Sequence, residues 1–114
     1  MINPGLLSVV KAVVSMLVKG DYLGVEKLTE GKQLTAQEIE QAIKDYGAIL
    51  IMPPDHAWEN TDVIETENSN PRKWSVRFDL WAAREGQSDL SLELTLTESE
   101  AHHCQVEING IHVL

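Results

Sequence analysis

The chain has 114 residues, 43% of them hydrophobic and 24% charged, the size and make-up of a single globular domain that buries roughly two thirds of the surface its unfolded form exposes. Its net charge of -9 is uneven: residues 1–50 hold five basic residues against six acids, and residues 51–114 hold four against twelve. Such a field repels phosphate backbones, and with no basic stripe to overcome it the composition argues against direct nucleic-acid binding and favours a basic protein partner.

In chain order, Asn3 and Pro4 make a helix start and Gly20 a stop. Between them Ser8, Lys11, Ser15 and Lys19 recur at three- and four-residue spacing, a narrow polar stripe on a helix otherwise apolar all round. Lys11 interrupts "GLLSVVKAVVSMLV" short of the about 18 uncharged residues of a spanning helix. No basic segment precedes it and no small-residue cleavage site follows, so neither a membrane span nor a secretion signal is expected. The expected address is cytoplasmic, in keeping with a single cysteine, Cys104. Asp21 opens a short second helix. In "LTAQEIEQAIKDYG", Thr35 and Glu38 form a capping box, Leu34 and Ile39 a hydrophobic staple, and Gly47 the stop, while Ile39, Ala42, Ile43 and Tyr46 face the core.

From residue 48 onward the periodicity changes. "AILIM" reads as a short buried strand or the entry to one, and Pro53 and Pro54 then break regular structure. "DVIETE" is a short acidic strand followed by the turn "NSNP". In "KWSVRFDLW" and "DLSLELTLT", Trp74, Val76, Phe78, Leu80, Leu90, Leu92, Leu94 and Leu96 alternate with polar residues, which predicts half-buried antiparallel strands joined through "REGQSD". "CQVEINGIHVL" continues the phase through Cys104, Val106 and Ile108 until "NG", a tight turn or a bulge. The expected architecture is one α+β domain over 1–114, helical through residue 47 and strand-rich beyond it. Its N-terminal helices pack on one face of a three- to four-stranded antiparallel meander. The open face would show Arg77, Asp79, Trp81, Glu93, Thr95, Gln105 and Glu107.

The run "LVKGDYLGVEKL" ahead of the strands resembles the element order of the NTF2-like/cystatin-like superfamily. More closely, "KWSVRFDLW", "EGQSDLSLELTLTE" and the terminal "IHVL" resemble a family of small bacterial domains over roughly residues 16–114. That family carries no assigned activity. The superfamily's enzymes put polar groups between sheet and helices, whereas the inward phase here is leucine, valine, phenylalanine and tryptophan.

Two constellations invite chemistry. In "PDHAWENTD", Asp55 and Asp62 could orient His56 for acid-base work, but no nucleophile, phosphate-cradling loop or dinucleotide fingerprint accompanies them. The stretch reads as a connector. In "HHC", alternation along a strand lets only His102 and Cys104 share an ion, with His112 an unsupported third ligand, so no metal site is assigned.

The sequence therefore points to a non-enzymatic interaction protein without cofactors, of the kind that neutralises a basic, nuclease-type bacterial toxin domain. The expected contact residues are Asp55, Trp58, Glu59, Asp62, Glu65, Asp79, Trp81, Glu93 and Glu107, with Trp58 or Trp81 as the desolvated anchor. The alternative is an NTF2-like ligand-binding or catalytic domain with a pocket lined by Tyr46, Trp74 and Phe78. Homodimerisation through the first helix or the open sheet face is compatible with both.

Overall fold

The computed structural model describes residues 4–99 and 104–113. Three helices, α1 (Pro4–Lys19), α2 (Tyr22–Leu28) and α3 (Ala36–Tyr46), precede five strands. These are β1 (Leu50–Ile51), β2 (Asp62–Glu65), β3 (Lys73–Ala82), β4 (Gly86–Glu98) and β5 (Cys104–Val113), with a 3₁₀ helix over Asp55–Asn60 between β1 and β2. The fold is α+β, with an antiparallel sheet in the order β1-β3-β4-β5, and β2 pairs with the same edge of β3 as β1 does.

Capping sets the helix boundaries. The Asp21 carboxylate accepts from the Gly24 N–H at 3.0 Å at the start of α2. At the start of α3 the Thr35 hydroxyl accepts from the Glu38 N–H at 3.2 Å, while the Glu38 carboxylate accepts from the Thr35 N–H at 3.0 Å. Gly47, left-handed at φ 82°, ends α3, a conformation that side chains other than glycine's resist.

Helix α1 buries Leu6, Val10, Val13, Val14 and Leu17, and leaves Ser8, Lys11 and Lys19 exposed as the stripe requires. Each such burial is worth about 1.5–3 kcal/mol relative to exposure, which is why this helix forms with few polar residues to solvate it. Opposite lie Val76, Phe78 and Leu80 of β3, Leu90, Leu92, Leu94 and Leu96 of β4, and Val106, Ile108 and Ile111 of β5, all buried. Period-two alternation sends these residues to the helix side and their neighbours to the other face.

Two irregularities shape the sheet. Between β3 and β4 the register passes from Asp79↔Ser91 to Trp81↔Gln87, two residues longer on β4; there the Ser88 hydroxyl donates to the Leu80 carbonyl at 2.6 Å. Between β4 and β5 it passes from Leu94↔Ile108 to Glu93↔Gly110, so Asn109 is one extra residue on β5. The "NG" pair is thus a bulge within a strand. It returns Ile111 to the core side opposite Leu92 and brings His112 opposite Ser91.

The stretch 55–60 departs from the expected irregular connector. It is a 3₁₀ helix whose Ala57 and Trp58 are buried, with Trp58 stacked on Phe78 at 4.8 Å between ring centroids. Lys11 of α1 lies over the same indole, its Nζ 5.5 Å from the ring centroid. An indole offers more apolar area than any other side chain, and the gap between β1 and β2 at the sheet edge takes it in.

Candidate protein-binding face

The polar face of the sheet is organised in rows across the strands. Asp62 of β2 stands opposite Arg77 of β3, and Arg77 opposite Glu93 of β4. One step along, Asp79 stands opposite Ser91, and Ser91 opposite His112 of β5. Beyond these, Trp81 pairs with Ile51 on one side and Gln87 on the other. At the opposite end Ser75, Thr95 and Glu107 form a row that Ile64, 69% exposed, extends.

These side chains hold one another in place. Arg77 Nη2 donates to Asp62 Oδ2 at 3.1 Å. Asp79 accepts from both Ser91 Oγ at 2.8 Å and Gln87 Nε2 at 2.9 Å. His112 Nε2 lies 3.3 Å from Glu93 Oε1, and Asn109 Nδ2 donates to Thr95 Oγ1 at 2.7 Å. Ser91 is buried and its proton is committed to Asp79, so this hydroxyl orients a carboxylate instead of presenting an attacking oxygen.

Two adjoining hollows of about 340 and 410 Å³ open on this face and share Asp62 and Arg77. Glu93, Asn109 and Ile64 line the first, and Asp79, Asp89 and Ser91 the second. Four carboxylates and a single guanidinium thus line the two hollows, with Asp62 the carboxylate bonded to Arg77. With the Asp62 and Arg77 side chains 63% and 48% exposed, the surface is hydrated and its charge acts outward.

Of the residues expected from sequence, Asp62, Asp79, Trp81, Glu93 and Glu107 share this face. Trp81 is half-buried: His56 meets it edge-on at 6.0 Å, and Gly86, left-handed at φ 73°, leaves room beside its ring. Asp55 and Glu59 are exposed on the 3₁₀ helix. Two expectations need correction. Trp58 is a core residue, 6% exposed, and it is not available as a partner anchor, because its ring is spent on Phe78. Glu65 falls in the opposite phase to Asp62 on β2, opposite Trp74, and is occupied by Arg72 through Nε and Nη2 at 2.9 and 2.8 Å. Those hydrogen bonds hold the Glu65 carboxyl below the usual range and push the Arg72 guanidinium up. Asp89, Ser91 and Gln87 were not singled out from sequence, although the alternation of "DLSLEL" puts Asp89 and Ser91 in phase with Glu93.

The residues expected to line a ligand pocket do not gather around one space. Phe78 is covered by Trp58, and Trp74 lies at the far end of β3 with the Arg72 guanidinium 5.0 Å from its ring centroid. The Tyr46 hydroxyl is at the surface, donating to Glu85 Oε2 at 2.7 Å and accepting from the Asp89 N–H at 3.2 Å, and the bond to Glu85 raises its pKa.

Among the described residues no group of three or more His, Cys, Asp or Glu side chains is placed to hold a metal ion, and no helix is long and apolar enough to cross a membrane. His102 of the "HHC" reading lies outside the described residues, and burial raises the Cys104 thiol pKa. Neither a curated protein nor a solved structure matches the chain. A family model does match, over residues 14–114, and by that match the chain belongs to the family described as Domain of unknown function (DUF7668).

Proposed function

We propose that this protein is a non-enzymatic binding protein whose acidic sheet face captures a basic protein partner. The observation that carries this reading is the pair of hollows lined by Asp62, Asp79, Asp89 and Glu93 against the single Arg77. Carboxylates fixed by Ser91, Gln87 and His112 lose little freedom when a partner's lysine or arginine arrives, and the excess negative charge steers that partner inward. Trp81, beside Ile51 at the end of the same face, supplies an apolar contact next to the charged one.

The specific form of the proposal is a cytoplasmic bacterial immunity protein that covers a nuclease-type toxin domain, whose own nucleic-acid surface has to be basic. The test is to express the C-terminal domain of the neighbouring upstream gene product with and without this protein, scoring growth and co-purification. Rescue of growth arrest by a stable complex supports the proposal. The variant Asp62→Lys/Asp79→Lys/Glu93→Lys, checked for an unchanged circular dichroism spectrum, should then lose rescue and slow association by about 10-fold or more at low salt. Rescue and association rate unaffected by those reversals would remove the acidic face from the mechanism.

A further inference from the structure

We propose that the chain forms a two-fold dimer by pairing the outer edge of β1 with the same edge of a second copy. The inference rests on the segment Ala48–Met52 and uses none of the carboxylates of the acidic face.

Strand β1 is bonded on one side only. The Ile49 carbonyl accepts from the Ala83 N–H at 2.9 Å, and Leu50 and Ile51 stand opposite Ala82 and Trp81. In an antiparallel ladder, bonded and non-bonded pairs alternate, so the main-chain groups of Ile49 and Ile51 face β3 and those of Leu50 face away from it. The Leu50 side chain is buried in the core, which fixes this edge in place. The flanking side chains project outward: Ile49 is 77%, Met52 48% and Ile51 37% exposed. An open strand edge bordered by β-branched apolar side chains is a template for another strand.

Charge selects a second copy as the occupant. Two chains of net charge -9 repel each other across most of their surfaces, and the acidic sheet face is closed to self-association for that reason. Ala48–Met52 carries no charge at all. The adjoining hollow of about 410 Å³ is lined by Gly47, Ala48, Ala82 and Ala83, with Arg84 and Glu85 contributing one charge of each sign. The patch is thus both apolar and electrically neutral. Helix α1, the other apolar candidate, already spends its widest face on the chain's own core.

With the two-fold axis at Leu50, this residue exchanges both main-chain hydrogen bonds with Leu50 of the second copy, and Ile49 stands opposite Ile51 of the second copy. Pro53 and Pro54 lack amide hydrogens, so the ladder stops after Met52. The pairing consumes the edge it uses and closes as a dimer.

The test is sedimentation velocity of the full chain over a range up to about 100 µM, where a specific interface of ordinary size is saturated. The expected result is a species of twice 12.7 kDa that the exposed-surface variant Ile49→Lys converts to monomer with an unchanged thermal melt. In a Cys104→Ser background, oxidising a mixture of Ile49→Cys and Ile51→Cys chains should give a cross-linked dimer faster than either variant alone. A monomer throughout that range overturns the proposal, as does a dimer that Ile49→Lys leaves intact. A dimer abolished by Asp62→Lys/Asp79→Lys/Glu93→Lys instead would relocate the contact to the open face and equally overturn it.

Discussion

Replacing Trp58 with alanine separates a core residue from a surface anchor in one measurement. The indole is 6% exposed, stacked on Phe78 at 4.8 Å and covered by Lys11 from α1. Truncating a buried tryptophan or phenylalanine to alanine costs about 3–5 kcal/mol, through lost transfer energy and the cavity left behind. Of this, about 0.5–1.5 kcal/mol belongs to the ring pair itself. A chain of this length unfolds with an entropy of about 240 cal/mol/K, so the melting temperature should fall by about 12–20 °C. Urea denaturation followed by circular dichroism should show the midpoint moving at constant slope. A double-mutant cycle with Phe78→Leu should recover a coupling of about 0.5–1.5 kcal/mol. A loss below about 1 kcal/mol, or no coupling to Phe78, would refute the placement of Trp58 in the core and restore it as a surface contact.

Three further outcomes are expected. Glu65 is held ionised by Arg72, and a carboxyl whose folded pKa is depressed contributes stability that is full above its ordinary value of 4.5 and lost as pH falls through the lower folded value. Glu65→Gln should therefore be less stable than the parent at pH 7, with the gap closing in acid below about pH 4.5, measured by urea midpoints across pH. Gly86→Ala should lose about 1 kcal/mol, because φ 73° is left-handed, and thermal denaturation reads it. Arg77→Ala removes the one guanidinium among four carboxylates, and association with the basic partner in stopped flow should accelerate several-fold at low salt and little at high salt.

The helices were legible because their signals are local: the Thr35 and Glu38 capping box and the Gly47 stop act within one turn of the chain. The alternation in β3 and β4 likewise assigned Phe78, Leu92 and Leu94 to the core and Asp79 and Glu93 to the open face. Less legible was anything decided by pairing between distant segments. That β1 and β2 share one edge of β3 follows from the 3₁₀ helix between them, and that helix forms where Trp58 can reach Phe78, a contact 20 residues apart in sequence. Composition puts Trp58 on a surface connector and Glu65 on an acidic strand as contact residues, since neither the stacking partner of the one nor the Arg72 clamp on the other is visible in a local pattern. Within the candidate face, the carboxylates followed from phase, whereas their anchoring by Ser91, Gln87 and His112 depends on registers that two bulges set.

The extra residue at Asn109 works as a frame shift in the alternation of β5. If the same sequence paired with no bulge, the residues after Ile108 would read in the other frame: Gly110 and His112 would turn toward the helices, and Ile111 would stand in solvent. A slip that paired Asn109 with Glu93 would thus exchange an imidazole for an isoleucine across the whole thickness of the sheet, whereas deleting Asn109 would only close the bulge and keep Gly110, Ile111 and His112 opposite Glu93, Leu92 and Ser91. The strand's last four residues are interpretable only after that one insertion is counted, so the acidic face owes its only histidine on β5 to a residue that pairs with nothing in the ladder.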